Sequence, residues 1–300
     1  MALWIRCQRA PLSSDTVYTS VGVGDIVSFY NDMFQFIGGA RWQRIQSANY
    51  SAVTGLPTNG NDTSVISPSI AGVIKPTKEL MFYANWIQAL QQGPIAGAGT
   101  TNAGTQFPAF VSTQYEVGAK VDFGKIGATL SAFQITMPAS YTQGTTFVVD
   151  GQNQNRGIEF VLFGEPWEGL KLNGGFVWLD ARQANTASGI NNGRMSVGQA
   201  PFTASLTADY DTPFWKGFGM MGRVVYNDMV FVNATNTQMV PAWTRFDAGV
   251  RYSIDRPDGK PVTLRANVFN VFDMNYWNAT GTFFVSNQPR TLMLNLSTEF

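Results

Sequence analysis

The stretch F-V-S-T-Q-Y-E-V-G-A-K-V-D, from Phe110 to Asp122, decides the fold. Side chains of an extended chain alternate between two faces. Val111, Thr113, Tyr115, Val117, Ala119 and Val121 fall on one of them, and Ser112, Gln114, Glu116, Gly118, Lys120 and Asp122 on the other. The alternation is long. Globular strands average about 5–6 residues, whereas a tilted strand needs about 9–11 to cross a bilayer. The apolar face therefore packs on a protein core or on lipid, and the rest of the chain has to say which.

The same pattern recurs from end to end. In T-R-F-D-A-G-V-R-Y (244–252), Phe246, Ala248, Val250 and Tyr252 oppose Arg245, Asp247, Gly249 and Arg251. In F-T-A-S-L-T-A-D-Y (202–210), Phe202, Ala204, Leu206, Ala208 and Tyr210 oppose Thr203, Ser205, Thr207 and Asp209. Period-2 stretches predict thirteen strands, at about 18–30, 33–46, 66–75, 80–90, 110–122, 126–137, 154–164, 170–181, 202–211, 218–228, 244–254, 262–272 and 288–300. The stretch 66–75 is the weakest. No window carries a convincing helical period.

Composition points to lipid. Hydrophobic residues make up 44% and aromatics 13%, but charged residues only 13%, about half the share of a soluble domain. No run approaches the roughly 20 apolar residues of a spanning helix. Few charges, many aromatics and abundant glycine suit a membrane β-barrel, in which alternation hides the hydrophobicity. Acidic and basic residues balance, so no nucleic-acid footprint is visible. Cys7 is the sole cysteine, which excludes an internal disulfide and a thiolate metal cage. Histidine is absent, which removes the usual general base and zinc ligand. No catalytic residue and no metal ligand is assigned, and no enzyme activity is expected. The opening M-A-L-W-I-R-C-Q-R-A-P-L-S-S does not read as a secretory signal; residues 1–14 are expected to be irregular and 15–300 to form the barrel portion.

The polar faces carry Glu116, Lys120, Glu159, Lys171, Arg223, Arg245, Asp247, Arg251 and Arg265. A charge facing lipid costs about 2–4 kcal/mol at mid-bilayer, so this face is expected to line a wet lumen. Pairing of these charges with one another or with a plug is favoured over a conducting pathway. Short links (Tyr30–Asp32, Pro76–Glu79, Asp122–Lys125, Glu165–Gly169, Thr212–Gly217, Asp255–Pro261) alternate with long ones at about 47–65, 91–109, 138–153, 182–201, 229–243 and 273–287. Outer-membrane barrels have short periplasmic turns and long external loops. Trp167, Phe214, Trp215 and Phe218 fall on the short-link side, and Trp243, Tyr276 and Trp277 on the long-link side, as two interfacial girdles would. The segment T-L-M-L-N-L-S-T-E-F (291–300) alternates in the same way, with Leu292, Leu294, Leu296 and Phe300 on one face.

L-R-A-N-V-F-N-V-F-D-M-N-Y-W (264–277) followed by Q-P-R-T-L-M-L-N-L-S-T-E-F (288–300) resembles the C-terminal end of TonB-dependent siderophore receptors. N-R-G-I-E-F (155–160), G-L-K-L-N-G-G-F (169–176), Q-A-P-F (199–202) and V-P-A-W-T-R-F-D-A-G-V-R-Y (240–252) fit the same family in the same order. So do N-W-I-Q-A-L-Q-Q-G-P (85–94) and G-D-I-V-S-F…G-A-R-W near 24–42. The resemblance implies an all-β antiparallel transmembrane meander belonging to a barrel of about 22 strands, with a plug domain and TonB box that this sequence does not display. A C-terminal piece of such a receptor is expected, in the outer membrane of a Gram-negative bacterium and not competent for transport alone. The implied partners are a ferric siderophore as transported ligand, outer-membrane lipid and lipopolysaccharide, the barrel assembly machinery through the aromatic-ended last strand, and the TonB complex through the plug; no further cofactor and no nucleic acid is implied. Phe107, Tyr141, Phe147, Arg194, Tyr276 and Phe283 in the long loops are the candidate ligand contacts. The charges read in those loops are Asp62, Asp150, Arg182 and Arg194, which favours a ligand that is not strongly anionic. A passive outer-membrane porin or a surface-binding barrel stays open as the alternative, and a soluble β-rich secreted domain as a third reading.

Overall fold

The computed structural model describes residues 12–280 and 283–298. Its strands are β1 (Ser14–Phe29), β2 (Phe34–Tyr50), β3 (Pro57–Ile74), β4 (Leu80–Gln91), β5 (Phe110–Asp122), β6 (Ile126–Gln143), β7 (Thr146–Trp167), β8 (Leu170–Ala184) and β9 (Phe202–Asp211). They continue with β10 (Phe218–Asn227), β11 (Val230–Phe231), β12 (Met239–Val240), β13 (Trp243–Asp255), β14 (Pro261–Phe269), β15 (Trp277–Thr280), β16 (Phe283–Ser286) and β17 (Thr291–Thr298). Thirteen of them form one antiparallel meander, β1 through β10 in order and then β13, β14 and β17. The pairs β11–β12 and β15–β16 are small hairpins inside loops. The one helical element among the described residues is a 3-10 turn at Ala187–Gly189.

The sheet is inside out relative to a soluble domain. Val117, Leu294 and Leu296 are 56%, 68% and 67% exposed, whereas Asp247, Ser131 and Thr263 are buried to 3%, 6% and 7%. Register explains the split. Glu159 pairs with Ser131 and Val177, Val177 with Thr203, Thr207 with Arg223, and Arg223 with Asp247. Directly opposed residues share a face, so these positions form one continuous polar surface. The asymmetry is that of a sheet curled about its polar face, where side chains crowd while those on the convex face splay apart.

The convex face gives the height of the apolar band. On β2 it reads Phe34, Phe36, Gly38, Ala40, Trp42, and then turns polar at Arg44 and Gln46. On β8 it reads Leu170, Leu172, Gly174, Phe176, Trp178, and then turns charged at Asp180 and Arg182. Each span matches the length of about 9–11 residues that crosses a bilayer at a tilt. Asp25 on β1 is an acidic residue on this face, and nothing in the structure explains it.

Several long strands run well past the band, which corrects the predicted boundaries. The segments 47–65 and 138–153, expected as long loops, are mostly strand. β2 and β3 pair up to Tyr50 and Pro57, and β6 and β7 close at Gln143 and Thr146. The weak 66–75 stretch is the membrane half of the longer β3. The strict alternation of short and long links therefore fails at these two hairpins. The short links keep their places, with glycines where the turns need them: Gly169 and Gly217 have φ of +81° and +79°. A Cβ on either would also lie within 2.6 Å of a carbonyl oxygen of the adjoining strand. The last predicted strand is described only as far as Thr298, so Phe300 lies outside the described residues, as does the segment 1–11.

Two of the residues expected in the aromatic girdle on the long-link side, Trp243 and Tyr276, do not belong to it. Trp243 pairs with Asn227 on the concave face and stacks on Tyr276 at 4.2 Å between centroids. The convex upper edge instead carries Trp42, Trp86, Tyr115 and Trp178. Trp167 is 61% exposed at the lower edge, and Trp215 stacks on Phe218 beside it in the sequence of short turns.

Candidate ligand-binding site

The concave face is the first part of the site. Glu116, Lys120, Glu159, Arg223, Arg245, Asp247, Arg251 and Arg265 all lie on it by register. Glycines opposite long side chains let this surface pack. Tyr83 lies across Gly118, Phe133 across Gly157, Phe163 across Gly127 and Arg251 across Gly219; a Cβ at each glycine would come within 2.7 Å of the partner. Glycine weakens a strand by leaving nothing to pack, and the facing ring or guanidinium fills that space.

Arg251 uses the room above Gly219 to span a strand. It bonds Asp209 at 2.8 Å and also reaches Asp211, which takes Lys171 at 3.4 Å. Tyr83 donates to Glu116 at 2.5 Å, Gln114 donates to the same carboxylate at 2.7 Å, and Lys120 sits 5.1 Å from the Tyr83 ring centre. Asp247 accepts from Arg245 at 3.0 Å and from the Asn270 backbone N–H at 2.9 Å. Arg265 bonds Ser297 rather than an acidic partner. These are local networks within the wall.

Above the band, loops fold over the concave side and are held by amide clamps. Asn102 donates to the Phe147 carbonyl at 2.8 Å and accepts from the Phe147 N–H at 2.9 Å, as a neighbouring strand would. Asn236 does the same to Met195, at 3.0 Å and 2.7 Å. Gln183 donates to both Met195 and Ala234 carbonyls, tying loop 185–201 to loop 228–242. Segment 194–201 continues the ladder above β9, with Ser196 N–H on the Ala181 carbonyl and Leu179 N–H on the Pro201 carbonyl.

The six predicted contact residues are not brought together. Phe107 and Phe147 pack at 5.6 Å between centroids. Tyr141 lines a cavity between β6, β7, β8 and loop 185–201. Arg194 bonds the Thr235 carbonyl, Tyr276 lies on Trp243, and Phe283 is 75% exposed on its own hairpin. The loop charges named from the sequence are also incomplete. Asp273 belongs with them, and its carboxylate accepts from Arg290 N–H at 2.8 Å. Arg44 pairs with Asp62, and Arg182 with Asp180, on the convex side at the level where that face has become polar. Beside Tyr141, the cavity is lined by Asn153, Asn155, Gln183, Asn191, Ser196 and Gln199, which were not legible in the sequence because single polar residues spread over two strands and a loop carry no motif.

Residues 10–271 match the family described as TonB dependent receptor-like, beta-barrel. The ferrichrome receptor FcuA of Yersinia enterocolitica is 33% identical, over 98% of this chain and 40% of its own length. The crystal structure of BauA, the ferric preacinetobactin receptor of Acinetobacter baumannii, superposes with a TM-score of 0.83 at 37% identity, covering 96% of this chain and 43% of that one. The siderophore receptor PiuA of the same organism gives a TM-score of 0.78 at 20% identity, a likeness of fold. The chain spans about two fifths of the length of the relatives it matches.

Proposed function

The chain belongs to the TonB-dependent receptor-like β-barrel family, and from that premise we propose that it forms part of the wall of a receptor taking up ferric siderophores. Its place is the outer membrane of a Gram-negative bacterium, where this family's barrels reside. The observation that carries the reading is the inverted sheet: a convex apolar band of membrane height around a concave polar surface, topped by clamped loops. A wall of that form can bind and position a ligand. Its implied partners are the ferric complex, membrane lipid and lipopolysaccharide, the barrel assembly machinery, and TonB by way of a plug domain.

The test is uptake of radioiron in cells producing the protein from its natural reading frame. Accumulation of iron from a ferric siderophore should disappear when the gene is deleted and when TonB is absent. Accumulation that persists without TonB, or passive leakage of small solutes in its place, would favour an open pore and defeat the receptor reading.

A further inference from the structure

We propose that segment 92–109 is a fixed strap that holds the β2–β3 and β6–β7 hairpins together as one rigid post above the membrane, and that the protein works without opening it. Both hairpins outrun the sheet. The β3–β4 ladder ends at Ser69 and Ile87, so from Pro57 to Pro68 the β3 edge has no strand beside it among the described residues. The β5–β6 ladder ends at Thr113 and Thr136, and the β7–β8 ladder at Gln152 and Ala184, which leaves the tip of β6–β7 two-stranded. A two-stranded hairpin is marginally stable in water, and an open edge is a site for stray pairing. Something must hold these tips, and in the order of the sheet the link of the intervening pair β4–β5 lies between them.

The strap is itself ordered. Its two arms form a short antiparallel ribbon, with Ala96 N–H on the Thr105 carbonyl at 2.8 Å, Gly104 N–H on the Ala96 carbonyl at 2.9 Å and Phe107 N–H on the Pro94 carbonyl at 2.9 Å. A Cβ at Gly93 would lie 2.0 Å from the Pro108 carbonyl oxygen, so glycine lets the arms close. One flank is tied to β3, where the side-chain amides of Asn59 and Asn61 donate to the Gly104 and Phe107 carbonyls at 2.8 and 3.0 Å. The other flank is tied to the β6–β7 turn. Thr101 N–H bonds the Thr145 carbonyl at 2.8 Å, the Thr101 and Thr146 hydroxyls meet at 2.8 Å, and Asn102 takes both backbone groups of Phe147. Phe107 packs on Phe147 beside these bonds. A single exposed hydrogen bond is worth little against water; several on each flank, acting on one ordered ribbon, hold it shut.

Spin labels on Val53→Cys and Gln143→Cys, one at each hairpin tip, test the post in outer membranes containing the full protein, with its other cysteines replaced by serine. The distance distribution should be a single narrow peak. Asn102→Ala, and separately Asn59→Ala combined with Asn61→Ala, each remove two hydrogen bonds between strap and hairpin. Either change should broaden the peak at least about twofold and speed proteinase K cleavage within 92–109 about fivefold or more. Heat-modifiable gel migration selects variants that remain folded, and one folded variant suffices. A disulfide between Thr101→Cys and Thr146→Cys should leave radioiron uptake within about twofold of the reduced protein, an arm that rests on the receptor reading above. A broad or multiple distribution with the strap unaltered, unchanged width and cleavage in the folded variants, or uptake lost on oxidation and regained with reductant would each overturn the inference. Uptake absent from oxidised and reduced forms alike would remove the receptor reading, and the strap would stand on the other two measurements.

Discussion

Asn270 is the residue on which the last long loop turns. Among the described residues it is the largest fully buried side chain, at 1% exposure. Its side-chain amide donates to the Met274 and Gln288 carbonyls at 3.0 and 3.2 Å and accepts from Met274 N–H at 2.9 Å, while its backbone N–H caps Asp247. Its φ of +54° is one that asparagine tolerates better than most residues. Asn270→Ala should therefore destabilise the folded protein by about 2–4 kcal/mol, from unsatisfied buried groups and a strained backbone, read as a lower urea midpoint in detergent. The sequence displays this residue inside N-V-F-N-V-F-D but not its work, because the partners lie across a loop. At the opposite end, in the turn after β13, Arg256 Nε donates to Asp258 at 3.1 Å and holds its carboxyl below the ordinary 3.8, helped by the Lys260 backbone N–H. A depressed carboxyl stabilises the fold above its unfolded pKa and loses that contribution as pH falls through the folded value. Arg256→Gln should move the Asp258 midpoint up toward 3.8 in a carbon-detected NMR titration, and an unchanged midpoint would show that the guanidinium does not set it.

Alternation is the property of the elements that sequence alone revealed best. All thirteen sheet strands were legible, because a lipid-facing residue every second position is a strong signal wherever the band runs. The signal stops at the membrane edge: β2, β3, β6 and β7 go on as polar strands, whose outer side chains meet water and whose inner ones pack under polar loops, so no apolar alternation marks them. That is why 47–65 and 138–153 looked like loops. Parity also explains the Trp243 error, since proximity to a loop says nothing about which face a ring takes. Adjacent residues on β8 give the sharpest test of the two faces. Phe176 stacks between Phe160 and Phe202 at 5.6 and 5.8 Å on the convex face, while Val177 stands opposite Glu159 on the concave one. Phe176→Lys should cost about 2–4 kcal/mol in the membrane, and Val177→Lys should be tolerated with Glu159 as its neighbour. Equal losses in folded yield and urea midpoint would mean that the convex face does not meet hydrocarbon.

At the scale of the whole molecule, the curled sheet has two edges. Among the described residues β1 pairs only with β2, and β17 only with β14. Between Ser14 and Phe29 on β1 and between Thr291 and Ser297 on β17, the outward N–H and C=O groups face no partner strand among the described residues, and in hydrocarbon each unsatisfied group costs several kcal/mol. Pairing must supply what water cannot. The relatives' chains are more than twice as long as the part that this chain matches. The 300 residues produced by themselves should not give a monomeric barrel in detergent micelles. They should associate edge to edge, since exposed strand edges pair with one another, and light scattering coupled to chromatography should report oligomers without heat-modifiable migration. Joining the chain in frame to the unmatched remainder of a relative should restore a monodisperse, heat-modifiable monomer. A stable monomer from the 300 residues alone would mean that β1 and β17 close on each other, a smaller pore than this family's, and would force the concave charges into a narrower lumen than their present spacing fits.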